Sequence, residues 1–490
     1  MLSFRSFARR RAARSALIVT GVAALTIGLA PAAFAAPGDW TQLSTFAAAT
    51  DLPKMANIDQ PTAARFGSSL QVVWSGQGTS GSNYYSAIVD GSGHVSTPSH
   101  EIISNWSGLT ENPALIDLNG QRFLAFSGLK STTTGAPYTV GAEYYATSAD
   151  GQAFTVGAGS MSAATTAYAG YGNDVVNNGG TPVWVGNAGT TSGLSWHSGI
   201  AASDPAPAGS DGFFGLSGCC AYDAATARDA STGAVYAAFY SNSSGTSEQG
   251  IQVGQILPTQ GAFSQAPGSL TSNDYGNNSV SPDQRVAMAA RAGGGVYVAY
   301  AMGYPSTTTI RVLQVGTTHT MDLPVSGRVG RISLTADPAG RIWLVYGQDD
   351  RVKAVHTNAA ATQFGAVGSW GAPRGATTVW HTAAIGSSGG LDIVITSNGA
   401  DNKINVWHTQ ALRTLSIKAA PSSAHRGSAV VFTVTDAGDA VAGATVKFAG
   451  HTATTNASGK ATISASGHGR VGATAKKSGY NNGATSVRVN

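Results

Sequence analysis

Short apolar runs separated by Gly, Asn, Asp and Ser recur along the chain after residue 36, and their apolar positions lack the three-to-four-residue spacing of a helix. Such runs, rich in β-branched and aromatic residues and bounded by turn residues, are typical of strands. The unit that recurs is an apolar strand, a Gly/Asn/Asp turn, a second strand that ends in an aromatic residue, and a third strand. The pattern therefore predicts an all-β fold.

Seven copies of this unit can be aligned. The segments 61–74 and 113–126 have the same length, and both run from a proline to an aromatic residue. The other five copies are 178–184, 231–239, 293–300, 338–346 and 388–395. The copies recur on average about every 53 residues, which suits a four-stranded propeller blade with its loops. We therefore expect a seven-bladed β-propeller over residues 36–412, with six or eight blades left open.

Two further features support a closed ring. Third strands with period-2 alternation follow each unit, and fourth strands are expected at 152–155 and 261–264. The segment 39–43 resembles a fourth strand that lacks its own blade. We expect it to complete the last blade, because an open ring would leave two unpaired strand edges.

Residues 413–490 differ in character from the rest. They carry nine basic and two acidic residues, whereas residues 36–412 carry 15 basic and 23 acidic residues. Short strands at 8–15-residue spacing predict a small immunoglobulin-like β-sandwich. Segments 440–448 and 454–463 resemble bacterial Ig-like modules of the invasin type, which implies a spacer, an adhesive unit or a wall tether. The positive charge of residues 413–490 is compatible with docking on an anionic wall polymer.

The first 35 residues predict a secretory signal peptide. They contain five arginines and no acid, then an apolar run over 16–30, then the small-x-small site Ala33-Phe34-Ala35. The apolar run is shorter than the roughly 20 residues of a membrane span. Without these arginines, 24 basic residues face 25 acidic ones, which disfavours a nucleic-acid binder. We expect a monomer that is secreted and extracellular, either released or held non-covalently at the wall, with no membrane span.

The only two cysteines, Cys219 and Cys220, are neighbours in the chain. Oxidation is expected in an exported protein, and a bond between neighbours is strained and closes almost no loop. A vicinal disulfide here would form a rigid apolar knuckle that either lines a ligand site or stiffens the entry turn of a blade. An intermolecular bridge or free thiols remain alternatives. No His/Cys set completes a metal site nearby, and we expect neither a metal nor a cofactor.

Propeller ligands usually bind where the innermost strands begin, at the mouth of the central channel. The predicted ligand-binding residues at these starts are Asn112, Asp174, Tyr222, Asp223, Asp283, Arg285, Arg328, Trp380 and His381, together with Cys219 and Cys220. Asp59, Asn173 and Arg331 fall on the same rim. Carboxylates, guanidinium groups and aromatic rings on one concave rim suit a glycan, although a rim is also polar simply because it is wet.

Hydrolysis of a glycoside requires two carboxyl groups about 5–10 Å apart. Residues 36–490 contain four glutamates, of which only Glu111 is expected on the rim. Its partner could be Asp59, Asp174, Asp223 or Asp283, and Glu111 and Asp283 are the candidate catalytic residues. Glu111 is more typical of a turn carboxylate before Asn112 than of a catalytic group. The pair Asp349 and Asp350 is more typical of a solvated hairpin than of a Ca²⁺ site.

The segment Ser148-Ala-Asp150-Gly151-Gln-Ala-Phe154 resembles an Asp-box, and 195–198 and 406–409 are similar to the blade ends of sugar-binding lectins. Residues 40–410 thus resemble the sialidase-like propellers and their lectin relatives. The resemblance implies a carbohydrate ligand. The Arg-Ile-Pro segment of the sialidases is replaced by Arg65-Phe66-Gly67, so no catalytic residue is transferred.

Three functions are compatible with these sequence features. The first is an exported carbohydrate-recognition protein that binds a glycan, such as a cell-wall polysaccharide, at the channel mouth. The second is an exo-glycosidase or sialidase-like hydrolase that uses rim carboxylates. The third is an extracellular adhesion or protein-binding scaffold.

Overall fold

The computed structural model describes residues 39–47, 61–77, 82–106, 113–128, 142–158, 173–186, 193–200, 212–218, 221–241, 243, 246–271, 286–303, 306–327, 329–348, 350–373, 376–399 and 403–490. All of these residues belong to one compact unit, Ala33–Asn490. Nearly all the regular structure among them is β, and the exception is a short 3-10 turn at Ser269–Thr271. No helix in this part of the chain has the length and apolar character needed to cross a membrane.

Up to residue 411 the described residues form seven four-stranded antiparallel sheets, called sheets 1 to 7. Sheet 1 consists of β2 (Thr62–Phe66), β3 (Ser69–Gln77), β4 (Ser82–Val89) and β5 (Val95–Trp106). Sheet 2 consists of β6 (Ala114–Leu118), β7 (Gln121–Gly128), β8 (Ala142–Ser148) and β9 (Thr155–Val156). Sheet 3 consists of β10 (Asp174–Asn178), β11 (Thr181–Gly186), β12 (Gly193–Ser198) and β13 (Gly212–Gly215). Sheets 4 and 5 are β14 (Ala221–Arg228), β15 (Val235–Ser241), β16 (Gly250–Leu257), β17 (Ser264–Gln265); and β18 (Ala287–Ala290), β19 (Val296–Met302), β20 (Thr309–Gln314), β21 (Thr320–Pro324). Sheets 6 and 7 are β22 (Val329–Ala336), β23 (Ile342–Gln348), β24 (Arg351–His356), β25 (Gly368–Gly371); and β26 (Ala376–Ser387), β27 (Gly390–Gly399), β28 (Lys403–Ala411), with β1 (Thr41–Ala47) as its outer strand.

The first strands of the seven sheets form a closed ring. Each of β2, β6, β10, β14, β18, β22 and β26 contacts the next, and β26 contacts β2. Four-stranded sheets arranged radially around such a ring form a β-propeller. The end of the ring at which the first strands begin is called the entry end, and the opposite end the exit end.

The strand sequences fit this arrangement because each sheet is covered on both faces by its neighbours. The second strand of sheet 6, β23, is buried along its whole length. Alternate residues of a strand point to opposite faces, so one strand contributes to two hydrophobic clusters. Leu344 of β23 packs in the cluster between sheets 5 and 6, and Trp343 and Val345 pack in the cluster between sheets 6 and 7. The continuous apolar runs of the sequence are therefore central strands buried on both sides.

The fourth strands begin later than the sequence pattern predicts. Expected at 152–155 and 261–264, they form at Thr155–Val156 and Ser264–Gln265. In sheet 2 the carboxylate of Asp150 accepts hydrogen bonds from the amides of Gln152 and Ala153, so these residues belong to the turn rather than to the strand.

Polar contacts connect neighbouring sheets around the whole ring. The hydrogen bonds, taken in order from sheets 1 and 2, are Leu115 N to Thr62 Oγ1, Asn177 Nδ2 to Asp117 O, Thr226 N to Asp174 Oδ2, Gly295 N to Asp229 Oδ2, Arg291 Nε to Gly340 O, and Ser333 Oγ to Thr382 O. The Arg65 guanidinium donates to the Asp392 carboxylate and completes the circle between sheets 1 and 7. Each blade is thus held to the next by directional bonds as well as by apolar packing.

Sheet 7 closes the ring with strands from both ends of the propeller sequence. As the sequence predicts, the N-terminal strand pairs antiparallel with the third strand of the last unit, and Thr41 lies opposite His408. The Asp392 carboxylate on β27 is buried and accepts hydrogen bonds from His408 Nε2 at 3.0 Å and Gln410 Nε2 at 3.1 Å, besides that from Arg65. One buried carboxylate therefore joins three strands at the closure.

From Arg413 onwards the described strands pair only with one another, and residues 413–490 are called the C-terminal module. One sheet has the order β30 (Ser416–Ala420), β32 (Ala429–Asp436), β33 (Asp439–Ala440), with β36 (Lys460–Ser464) also on β32. The other has the order β31 (Ser423–Ala424), β39 (Gly483–Val489), β37 (Gly469–Lys476), β34 (Thr445–Phe448), β35 (His451–Thr454), and β29 (Arg413–Thr414) pairs with β38 (Tyr480–Asn481). Phe432 and Phe448 meet between the two sheets with ring centroids 5.0 Å apart.

The C-terminal module is joined to sheet 6 by a buried ion cluster at the exit end. The Asp436 side chain is 1% exposed, and its carboxylate lies 3.1 Å from His356 Nε2, 3.6 Å from Arg341 Nε and 3.6 Å from Arg413 Nη1. Asp439 adds a contact of 3.2 Å to Arg341 Nη2. The module therefore contacts the end of the ring opposite to the entry end.

Replacing Asp392 tests the closure of the ring. Burial by itself raises the pKa of Asp392, but His408, Arg65 and Gln410 outweigh it, so the pKa lies below its usual value. Such a group stabilises the fold above about pH 4, and the contribution is lost as pH falls through the lowered pKa. We expect Asp392→Asn to lower the free energy of unfolding at pH 7 by about 3 kcal/mol. Between about pH 5 and pH 2 the free energy of unfolding should then decrease less in the variant than in the unmodified chain.

Denaturant unfolding at several pH values measures both effects. Asp322→Asn is the matched control, because the Asp322 carboxylate pairs with Arg311 at 2.6 Å but is 43% exposed, and its removal is expected to cost about 1 kcal/mol or less. Equal losses in the two variants would contradict the role of Asp392.

The junction between sheet 6 and the C-terminal module can be tested in the same way. Burial by itself raises the pKa of Asp436, but the contacts with His356, Arg341 and Arg413 outweigh burial, so the pKa lies below its usual value. The ionised Asp436 therefore stabilises the fold above about pH 4, and this stabilisation is lost on acidification. Asp436→Asn removes the carboxylate that the Arg341 and Arg413 guanidinium groups share, and we expect about 3 kcal/mol of destabilisation and faster proteolysis of the 411–415 linkage. Asp350→Asn, on an exposed turn, is the control, and an unchanged cleavage rate in Asp436→Asn would argue against a fixed junction.

Candidate site at the entry end of the channel

The first strands of all seven sheets surround a cavity of about 200 Å³. Its lining comprises Pro61, Thr62, Ala63, Pro113, Ala114, Leu115, Asn173, Asp174, Ala225, Val286, Ala287, Met288, Ile332, Ser333, Leu334, Thr382, Ala383, Ala384 and Ile385. This is smaller than the roughly 300–1,000 Å³ of most ligand pockets. A ligand larger than a few atoms would therefore have to bind at the mouth above the cavity.

Asp174 lies on the cavity wall, and both of its carboxylate oxygens accept hydrogen bonds from backbone amides. Oδ1 accepts from Val175 N at 2.9 Å, and Oδ2 accepts from Thr226 N of the next sheet at 2.9 Å. The carboxylate therefore bridges the first strands of sheets 3 and 4. It contributes negative charge to the cavity, and its geometry is set by this structural role.

The hydroxyl groups in the cavity wall are engaged in the same way. Thr62 Oγ1 accepts from Leu115 N at 3.0 Å, and Ser333 Oγ donates to the Thr382 carbonyl at 2.6 Å. The narrow part of the channel is consequently lined by polar groups that already hold neighbouring sheets together.

Tyr222 and Asp223 lie at the entry end of the first strand of sheet 4. Tyr222 is 6% exposed and stacks on Tyr240 with ring centroids 6.0 Å apart. Asp223 is buried with φ of 51°, a left-handed backbone conformation, and the pairing of β14 with β15 shifts register between Tyr222 and Ala225. This β-bulge turns the strand where the sequence predicts ligand-binding side chains.

Trp380 and His381 lie at a similar irregularity in sheet 7. The pairing of β26 with β27 shifts register between Val379 and His381. His381 is buried opposite Thr396, whereas Trp380 is half-buried. A third such shift lies in β22, between Val329 and Ile332. Three of the seven first strands are therefore bulged at the entry end.

The remaining predicted site residues are not all within the described part of the chain. Asn112, Glu111, Cys219, Cys220, Asp283, Arg285 and Arg328, as well as Asp59, lie outside the described residues. Four of them immediately precede strands of the ring: Glu111 and Asn112 come just before Pro113, and Arg285 and Arg328 just before Val286 and Val329. The candidate pair Glu111 and Asp283 thus remains a prediction from the sequence.

The residues beside the cysteine pair are attached to the loop between β15 and β16. Glu248 Oε2 accepts hydrogen bonds from both the amide and the hydroxyl of Ser217, each at 2.7 Å. A side chain at Gly218 would come within 3.2 Å of the Ser243 hydroxyl. The chain that leads into Cys219 is therefore packed against the entry-end loop of sheet 4.

Glu143 is a buried carboxylate at the entry end that the sequence pattern did not place there. It is 0% exposed at the start of β8, and Asn173 Nδ2, from the cavity wall, donates to its Oε2 at 3.3 Å. Glu143 does not belong to the cavity lining, so it lies behind the channel wall, and the rim position expected for Glu111 stays a prediction. First and third strands of a meander run parallel, so starts of third strands share the entry end, and this rule would have identified Glu143.

Two of the described tyrosines at the ends of second strands, Tyr300 and Tyr346, are largely buried and keep their hydroxyl protons at neutral pH. Burial raises the pKa of Tyr300 and of Tyr346 to about 12. Tyr300 Oη also donates a hydrogen bond to the Pro267 carbonyl at 2.7 Å. Among the described residues, no group of three or more His, Cys, Asp or Glu side chains is arranged to hold a metal ion.

The Asp-box-like segment of sheet 2 forms a turn at the exit end, far along the strands from the mouth. Ser148 Oγ donates to Asp150 Oδ1 at 3.1 Å and accepts from Gly151 N at 2.8 Å. The Gly151 carbonyl in turn accepts from Gln71 Nε2 of sheet 1 at 2.8 Å. The segment therefore connects blades and does not contact the candidate site.

No protein-family model and no curated protein matches the chain. Several solved structures are similar to it. A Trypanosoma rangeli sialidase in complex with 2,3-difluorosialic acid has 8% identity and a TM-score of 0.39 over 77% of this chain, which spans 59% of the sialidase. The match to polysaccharide lyase Uly1 has 8% identity and a TM-score of 0.41, and it covers 74% of this chain and 92% of the lyase chain. The match to YCF48 bound to D1 peptide has 11% identity and a TM-score of 0.39, and it covers 77% of this chain and 96% of the YCF48 chain. Likenesses this distant say nothing about what this chain binds.

Replacing Asp174 separates its structural role from a ligand-binding one. Asp174→Ala removes the acceptor of the Thr226 amide and leaves that donor in a partly buried position, so we expect the free energy of unfolding to fall by about 1–3 kcal/mol. Asp117→Ala is the control, because the Asp117 carboxylate accepts from Gly120 N at 2.6 Å within an exposed turn, and the substitution keeps the backbone carbonyl that accepts from Asn177. A thermal melt in which both variants match the unmodified chain would show that the bridge between sheets 3 and 4 is unimportant.

Proposed function

We propose that this protein is an exported carbohydrate-recognition protein that binds a glycan at the mouth of the propeller channel. In this proposal the seven sheets are the blades of one seven-bladed propeller over residues 36–412. Residues 413–490 are an Ig-like module that serves as a spacer or wall tether. Residues 1–35 are the signal peptide removed on export, and the mature chain is a monomer.

The observation that carries the proposal is the common location of the first-strand starts. Residues distant in sequence, such as Pro113, Asn173 and Val286, line one cavity. Asn112 precedes Pro113 in the chain, and Arg285 precedes Val286. Amide and guanidinium donors around a rim that also holds aromatic residues match the hydroxyl groups and ring faces of sugars.

The polar groups of the cavity wall are already hydrogen-bonded to neighbouring sheets, which favours recognition at the mouth over chemistry in the channel. Asp174 and the hydroxyls of Thr62 and Ser333 already bond to neighbouring sheets. The half-buried Trp380, beside a bulge, supplies an aromatic surface at the same end. Aromatic faces combine a large contact area with little loss of side-chain freedom, which suits the binding of a sugar ring.

A glycan array with the full chain tests this function, followed by titration calorimetry with the best oligosaccharide. We expect binding in the micromolar range and at least a tenfold loss in Asn112→Ala, Arg285→Ala and Arg328→Ala. Arg426→Ala, on an exposed loop of the C-terminal module, is the matched control and should bind as the unmodified chain does.

Three results would overturn the proposal. Absence of glycan binding at high micromolar concentration would favour a protein-binding scaffold. Turnover of fluorogenic glycosides that is lost in Glu111→Gln and Asp283→Asn would assign hydrolysis instead. Binding that all three mouth variants retain would move the site elsewhere on the molecule.

A further inference from the structure

The outer face of the five-stranded sheet of the C-terminal module is basic across its three central strands. Four exposed cations lie on it: Arg470 and Lys476 on β37, Arg488 on β39 and Lys447 on β34. The side chains between them are small, comprising Thr445, Thr452, Thr454, Gly472, Thr474, Ala484 and Ser486. This group of eleven residues is called the basic face.

The register of the sheet sets the spacing of these cations. Arg470 lies directly opposite Arg488, and the Arg470 Nε donates to Ser486 Oγ at 2.8 Å. Lys476 lies six residues further along β37, about 20 Å from Arg470 at 3.3 Å per residue. Two like charges directly opposite each other destabilise a sheet. An anion that lies between the two guanidinium groups would remove this cost.

Among the described residues, no acidic side chain forms an ion pair with the basic face. The module, described over its whole length, contains only two acids, Asp436 and Asp439. Both are used at the junction, where Asp436 contacts His356, Arg341 and Arg413, and Asp439 contacts Arg341. The four cations of the basic face take part in no ion pair within residues 413–490. The junction has thus gathered the negative charge of the module at its propeller side.

We propose that the basic face binds a linear polyanionic polysaccharide or wall polymer with regularly spaced carboxylate or phosphate groups. Guanidinium and ammonium groups recognise both anions, and guanidinium pairs can do so bidentately. A flat strip about 20 Å long, with small residues between its charges, suits several units of an extended polymer better than one small anion. This deepens the tether role proposed above for the module and does not depend on the channel mouth.

Nucleic acid fits the same charges less well. Single strands are usually held by stacking of the bases on aromatic side chains, and the basic face contains no aromatic residue. The propeller sequence, with 15 basic and 23 acidic residues over 36–412, would also repel a long duplex that extended past the module. A polyanion without bases is therefore the partner that the face favours.

The test uses the full chain and a pair of charge-matched double variants. R470Q/R488Q removes two cations from the basic face. K418Q/K460Q removes two exposed lysines from β30 and β36 of the opposite sheet, where Thr433 lies between them, so the two variants have the same net charge. Affinity is measured for polygalacturonate, which carries carboxylates, and for poly(glycerol phosphate), with neutral dextran and single-stranded DNA as reference polymers.

We expect at least a tenfold weaker binding of one or both anionic polymers by R470Q/R488Q, less than a twofold change in K418Q/K460Q, and no binding of dextran. The polymer that responds distinguishes the carboxylate source from the phosphate source. Binding should weaken steeply as salt rises from about 50 mM to 200 mM, since surface charges are screened. The Tm of R470Q/R488Q should be no lower than that of the unmodified chain, because it loses a repulsive pair.

Equal losses in the two double variants would show that only net charge matters and would overturn the proposal. Tighter binding of DNA than of either anionic polymer would do the same, as would no binding of either polymer at about 50 mM salt. None of these outcomes affects the glycan array with the mouth variants, so failure of the basic face and failure of the channel mouth are distinguishable.

Discussion

Closure of the ring is the constraint on which the rest of this structure depends. Each sheet has two apolar faces, so each needs a neighbour on both sides, and only a closed ring supplies one for every sheet. The chain meets this need by returning its N-terminal strand to the last sheet, beside the buried Asp392 that also receives Arg65 from sheet 1. Once the ring is closed, all first strands begin at one end around one cavity.

The two ends of the ring use polar residues differently. Hydrogen-bonded turns such as those at Asp150 and Asp229 lie at the exit end, where they hold hairpins and join blades. At the entry end the first strands of sheets 4, 6 and 7 are bulged, which interrupts their regular pairing there. The channel wall at the entry end also holds sheets together through Asp174 and Thr62, so a recognition site at this end would lie above the wall, at the mouth.

The ion cluster at Asp436 couples the two parts of the molecule. Because Asp436 contacts His356 and Arg341 of sheet 6, the C-terminal module is attached at the exit end. Both acids of the module lie at this junction, and in the described part of the chain no acid pairs with Arg470, Arg488, Lys447 or Lys476. The negative charge of the module and the positive charge of its outer sheet are thus separated.

The sequence alone determined the strand repeat, the closing N-terminal strand and the change of character at residue 413, since alternation and turn residues are local signals. It also indicated Asp174 as a residue on the channel wall. Only the tertiary structure decided that Asp174 bridges two sheets, that Glu143 meets Asn173, and that Asp436 is buried against Arg341 and Arg413. The physical reason is that the partners in these contacts lie between 23 and 95 residues apart, and no local pattern encodes which distant group supplies a contact.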